Sequence, residues 1–108
     1  MFIGKVVGTV VSTMKDEKVV SLKLQIVQEL NEHNQPREKY VVAADAIGAG
    51  QGDIVLFAQG SSARQTTLTD GKPIDAAIFA IIDSWDVDDE LVYQKEGLEG
   101  FPRQPGEV

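Results

Sequence analysis

Residues 19–30, VVSLKLQIVQEL, alternate between apolar and polar side chains with a period of two. Successive side chains of an extended strand point to opposite faces, whereas a helix would scatter these apolar residues around its circumference. The stretch is therefore a strand with two unlike faces. Val20, Leu22, Leu24, Ile26 and Leu30 share one register and are expected on a buried face. Ser21, Lys23, Gln25 and Glu29 share the other and are expected to meet water, with Val27 breaking the pattern.

Comparable runs surround it. FIGKVVGTVVST, residues 2–13, is β-branched and carries Gly4 and Gly8, which suit a strand that bends or approaches another backbone closely. MKDEK joins it to the second strand as a charged turn, and NEHNQPRE forms the next turn. KYVVAAD is strand three and DIVLFAQG strand four. SSARQ opens a single helical turn with a serine as its cap. TLTDGKP contains the turn dipeptide Asp-Gly. IDAAIFAIIDSWDV, residues 74–87, reads as strand five, apolar on both faces and so covered on both sides. A helix is the competing reading for DAAIFAII.

Short strands in this number favour closure, which removes exposed edges. The expected fold is all-β: a small five-stranded OB-like barrel with a short helical turn and a C-terminal arm. Residues 1–86 form the barrel and residues 87–108 an acidic tail. A chain of 108 residues is one domain with one modest core.

Charge narrows the function. Ten Lys and Arg stand against seventeen Asp and Glu, a formal net charge of −7. Grip on a nucleic-acid backbone draws on basic surface, so no nucleic-acid partner is expected. The absence of cysteine excludes disulfides, thiolate metal sites and cysteine nucleophiles. MFIGKVVGTVV lacks the basic start and cleavage site of a signal peptide, and no apolar run approaches the ~20 residues of a membrane helix. A soluble, cytoplasmic protein without a membrane partner is expected.

The glycine-rich loop DAIGAGQGD, Asp45 to Asp53, invites comparison with phosphate cradles. Such cradles need a helix after the glycines, or Gly-Lys-Ser/Thr; here a strand follows, and Asp45 and Asp53 would repel an anion. Narrow backbone that only glycine tolerates is the better account of Gly48, Gly50 and Gly52. GSSARQ fails the nucleophile-elbow pattern because Arg64 stands where glycine is required. The lone His33 lies in a polar turn, too loosely held to serve Ser61 or Ser62 as a base. Asp83, Asp86, Asp88, Asp89 and Glu90 lack the ligand spacing and central glycine of a calcium loop. Trp85 is expected to anchor a barrel rim or an interface. No catalytic constellation, metal site or cofactor site emerges, and no enzyme is expected.

Five segments in fixed order carry a family resemblance: MFIGKVVGTVVST, SLKLQIVQEL, DAIGAGQGDIVL, GSSAR and PIDAAIFAIIDS. Together, from Met1 to about Trp85, they resemble the bacterial microcompartment vertex proteins, the pentameric shell family with ethanolamine-utilisation and carboxysome members. The resemblance implies a homopentamer that caps the vertices of a polyhedral shell tiled by hexameric proteins, with no catalysis by the subunit. It further implies that Gly48, Ala49, Gly50 and Gly52 let a loop pack against a neighbour or around the five-fold axis. Ser61, Ser62 and Arg64 then lie at a joint, with Asp45, Asp53 and Asp75 as carboxylates within the choice of Arg64. Residues Leu91 to Tyr93 form an arm on the adjacent subunit. The alternative is an OB-fold binding module for single-stranded nucleic acid or an oligosaccharide, which would need a groove with exposed aromatics.

Overall fold

A computed structural model describes residues 1–12, 23–65 and 74–95. The charged turn MKDEK, the start of the second strand and the Asp-Gly turn lie outside these residues.

Strand β1 (Phe2–Val10) pairs antiparallel with β2 (Lys23–Leu30), and β2 with β3 (Pro36–Asp45). β4 (Ile54–Gln59) pairs antiparallel with both β1 and β5 (Ala76–Ile81). β3 and β5 meet in a parallel pair, and the order β1-β2-β3-β5-β4 closes into a barrel, as expected. Glycine makes the closure possible at one point. A Cβ on Gly4 would collide with Val27 Cγ1, stand 2.7 Å from Phe57 Cε1 and 3.0 Å from the Gln28 carbonyl.

The faces of β2 are the reverse of those expected. Gln25, Val27 and Glu29 point into the barrel and are buried, while Leu24 and Ile26 point outward and are half-buried. Val27, which breaks the apolar pattern, is thus a core residue, packed with Val6, Ala43, Val55, Phe57 and Ile78. Leu30 returns to burial past an irregularity in the β2–β3 register between Gln28 and Leu30. Alternation shows that two faces differ; it does not say which one faces in.

Strand five is shorter than residues 74–87. It ends at Ile81, and Ser84–Val87 form a separate strand, β6, paired with β7 (Glu90–Gln94) in a two-stranded hairpin. Asp88 and Asp89, at φ 52° and 64°, form its tight two-residue turn. The hairpin spans the point where the barrel and the tail are divided in the sequence. Both faces of β5 are covered, as its composition suggests, and the same subunit supplies much of the cover. Ile78 and Ala76 fill the barrel, while Ala77 lies in a second cluster with Ala44, Ala63 and Ile74. Ala63 comes from a 3₁₀ turn, Gly60–Arg64, where the sequence suggests a helical turn. Its cap is Gln59 rather than a serine, and no side chain caps it.

Candidate functional site

The glycine loop is a plug in the barrel wall. Ala49 at its centre is fully buried among Val6, Val27, Ala43 and Val55. Ala49 therefore packs its side chain within its own subunit. Gln25 holds the plug from inside. Its Nε2 donates to the Ala49 carbonyl at 2.6 Å and to Asp45 Oδ2 at 3.0 Å, while Thr9 donates to its Oε1 at 3.1 Å. Lys23 Nζ reaches the same Ala49 carbonyl at 3.4 Å. A buried amide with every end engaged is tolerable inside a core, and this one ties β1, β2, β3 and the loop together. Sequence reasoning placed Gln25 in water and missed this role. The Gln25–Asp45 match of donor to acceptor left no signal that periodicity could detect.

The loop's own aspartates engage several of its backbone amides. Asp45 Oδ1 accepts from the backbone amides of Ile47 and Gly48, each at 3.0 Å, and Asp53 Oδ2 accepts from that of Gly50 at 2.8 Å. The Gly52 amide donates to the Val6 carbonyl. The amides of all three loop glycines are thus engaged by internal acceptors. Gly48 and Gly52 adopt φ of +89° and +92°, the left-handed backbone that favours glycine. Gly50 does not, and a Cβ there would meet only Asp53 Oδ2, at 3.7 Å. The three glycines are exposed on the outer side of the loop beside Ile47, which is 47% exposed.

The remaining expected residues lie elsewhere. Ser61 and Ser62 are exposed on the 3₁₀ turn, away from the glycine loop in sequence. Arg64 Nη1 donates to the Ile74 carbonyl of its own chain at 2.9 Å. The Asp75 backbone carbonyl accepts from the Gly60 amide, so these residues brace the turn against the segment entering β5. His33 sits in the exposed β2–β3 turn, organised by the Asn31 carboxamide.

Trp85 is the rim anchor. Its indole Nε1 donates to the Glu32 carbonyl at 2.8 Å, and its ring lies 5.2 Å from that of Tyr93 across the hairpin. Burial, reinforced by the negative charges of Asp53 and Asp83, raises the Tyr93 phenol above its ordinary pKa. Between hairpin and barrel wall lies a cleft of about 350 Å³, bordered by Lys5, Gln28, Leu30, Asn34, Ile54 and Tyr93 among others. It offers one aromatic ring and one cation. No group of three His, Asp or Glu among the described residues is arranged to hold a metal.

Comparison with known proteins agrees with this architecture. The family described as ethanolamine utilisation protein EutN/carboxysome matches residues 1–83, the whole barrel. The carboxysome shell vertex protein CcmL of Gloeobacter violaceus is 44% identical over 89% of this chain and 96% of its own length. Its solved structure superposes with a TM-score of 0.85 over 89% of this chain and 99% of that one. The microcompartment shell vertex protein GrpN of Rhodospirillum rubrum is 48% identical over 78% of this chain and 94% of its own length. Its structure, described as a pentameric microcompartment shell protein, gives a TM-score of 0.74 over 81% of this chain and 99% of that one. With the barrel matched from its first strand through its fifth, the chain belongs to the EutN/carboxysome vertex protein family.

Proposed function

We propose that this chain is a vertex subunit of a bacterial microcompartment shell: five copies close into a ring that caps a vertex, in the cytoplasm, among hexameric shell proteins. The observation that carries this reading is the match to a pentameric vertex relative over nearly all of that relative's length. The subunit performs no chemistry, and its function is its shape. Residues 1–86 form the ring-building barrel, and residues 87–108 an acidic arm whose base is anchored by Trp85.

In this reading the outer side of the glycine loop faces a neighbour or the five-fold axis. Gly48, Gly50 and Gly52, with Ile47, are its contact residues, and Asp45 and Asp53 shape the loop rather than bind across the joint. The backbone there is narrow, three of its exposed positions lack Cβ atoms, and Ile47 is 47% exposed. Arg64, Ser61, Ser62 and Asp75 form a second part of the joint, with the Arg64 guanidinium held in place by the Ile74 carbonyl.

Native mass spectrometry of the full chain tests the ring directly and should give the mass of five subunits. A stable monomer or dimer across a wide concentration range refutes it. Co-expression with a hexameric shell protein should give closed particles; particles that close equally well without this chain refute vertex capping.

A further inference from the structure

The cleft of about 350 Å³ between hairpin and barrel wall falls in the size range of small-molecule sites, about 300–1,000 Å³. Its walls are held in place by the fold. Lys5 of β1 stands between its strand partners, Gln28 of β2 and Ile54 of β4. Leu30 and Ile54 are buried side chains that give the cleft an apolar floor. Tyr93 closes it from the hairpin. The hairpin is fixed by Trp85 Nε1, which donates to the Glu32 carbonyl, and by the Ile82 amide, which donates to the Ile54 carbonyl, each at 2.8 Å.

Charges of both signs surround this floor, and they arise on adjoining strands. The Lys5 ammonium is exposed and forms no ion pair among the described residues. The Gln28 amide beside it is neutral, its Nε2 donating to the Arg37 carbonyl at 3.0 Å. Two carboxylates stand on the β4 side. Asp53 precedes Ile54, and Asp83 follows Ile82, the residue whose amide meets the Ile54 carbonyl. Both act on the Tyr93 phenol, which their charge and its burial keep protonated beyond its ordinary range. Asp53 Oδ2 takes the Gly50 amide, and Asp83 is exposed.

That arrangement selects a ligand. A simple anion gains Lys5 but is repelled by Asp53 and Asp83, and a simple cation meets the reverse. A molecule with both signs on one short frame can set each against its opposite. We infer that the cleft binds a small zwitterion with a hydrocarbon side chain, the chemistry of a free apolar α-amino acid. Its carboxylate faces Lys5, its ammonium faces Asp53 and Asp83, and its hydrocarbon lies on Leu30 and Ile54. The Tyr93 oxygen is placed to accept from the same ammonium. Every wall of this cleft comes from one subunit, so the inference does not rest on the ring.

Isothermal titration calorimetry of the full chain with L-leucine tests the assignment. Two further titrants share its hydrocarbon and carry one charge each: 4-methylpentanoate lacks the ammonium, and L-leucinamide lacks the carboxylate. Leucine should saturate at one per subunit. Each one-charge compound should bind roughly tenfold more weakly, because it loses one charge-assisted contact and keeps one repulsion. Lys5→Met keeps the apolar stem and removes the ammonium, so it should weaken leucine by a similar factor and strengthen leucinamide. Asp83→Asn should weaken leucine and strengthen 4-methylpentanoate. These opposite shifts distinguish direct contact from general loosening of the fold.

Leucine that fails to saturate up to its solubility limit overturns the site. Binding of 4-methylpentanoate as tight as that of leucine makes the cleft an anion site and overturns the zwitterion. Unchanged leucine affinity in K5M places the ligand elsewhere and overturns the assignment. Lys5 is exposed, so K5M should keep the circular-dichroism spectrum of the wild type. Should it not fold, D83N carries the test alone, on an exposed residue outside the barrel strands. Unchanged affinity of D83N for all three compounds then overturns the proposal.

Discussion

Replacing Gln25 by leucine separates two explanations of the residue at the centre of the site. Leucine has about the same bulk and is apolar, so a core that needed only filling would accept it or gain stability. A core that needs the amide would lose. The losses can be itemised from geometry. Asp45 Oδ2 loses its 3.0 Å donor while remaining 7% exposed, and a hydrogen bond to a charged group contributes about 1.5–3 kcal/mol. The Ala49 carbonyl loses its 2.6 Å donor and keeps Lys23 at 3.4 Å, a further loss of roughly 0.5–1.5 kcal/mol. Burying a leucine in place of an amide offsets on the order of 1–1.5 kcal/mol. The net expectation is a destabilisation of about 2 kcal/mol, which for a domain of this size lowers Tm by roughly 8–16 °C. Both proteins are melted at one protomer concentration, because assembly makes Tm concentration-dependent. A Tm within about 2 °C of wild type would show that Gln25 merely fills space, and the plug would then be held by the burial of Ala49 alone.

Four further substitutions or titrations examine other parts of the structure. Gly50→Val places its Cβ in ordinary contact with Asp53 Oδ2 at ordinary backbone angles, so the subunit should fold while the pentamer is lost; an unchanged native mass removes this glycine from the joint. Gly4→Ala drives a methyl group into Val27 and Phe57 and should cost about 1–3 kcal/mol in urea unfolding, seen as a lower midpoint at unchanged slope. Arg64→Ala removes the bond to the Ile74 carbonyl and should cost about 1–2 kcal/mol of subunit stability. The pentamer should weaken as well, and an assembly as strong as wild type would show that Arg64 only braces its own subunit and takes no part in the proposed joint. Tyr93 keeps its proton longer in the folded state, so its contribution is complete below the ordinary tyrosine value of about 10 and is lost as pH rises through the raised folded value. Quenching of Trp85 fluorescence by tyrosinate should accordingly titrate above pH 10 in the folded protein and near 10 in urea; equal midpoints would place Tyr93 in open solvent.

How much of this was legible in the sequence depends on which forces act on each segment. The succession of the first four strands along the chain was legible because local chemistry sets the breaks between them: Asn, Gln and Pro break the chain at 31–36, and the loop glycines sit where φ is positive at 48 and 52. The start of the 3₁₀ turn was legible and its cap was not, since Gln59 ends β4 in an extended conformation that suffices without a side-chain bond. The division of residues 74–87 into two strands was hidden because both pieces are β-prone. What separates them is long-range: the Ile82 amide donates to the Ile54 carbonyl, and Trp85 bonds to Glu32, 53 residues away.

The facing of β2 was hidden for a deeper reason. A periodicity argument assumes one core and one solvent, so the apolar register must be the inner one. This chain has two apolar destinations, the barrel interior and a second cluster outside it. Leu24 packs on the second, outside the barrel, and Ile26 stands beside it opposite Val42, and this frees the inner register for the Thr9–Gln25–Asp45 network. That network in turn fixes the glycine loop from within, which leaves Gly48, Gly50 and Gly52 on the outside. The residues that contradict the simplest reading of the strand are therefore the ones that connect the barrel to its loop, and the loop to the proposed joint.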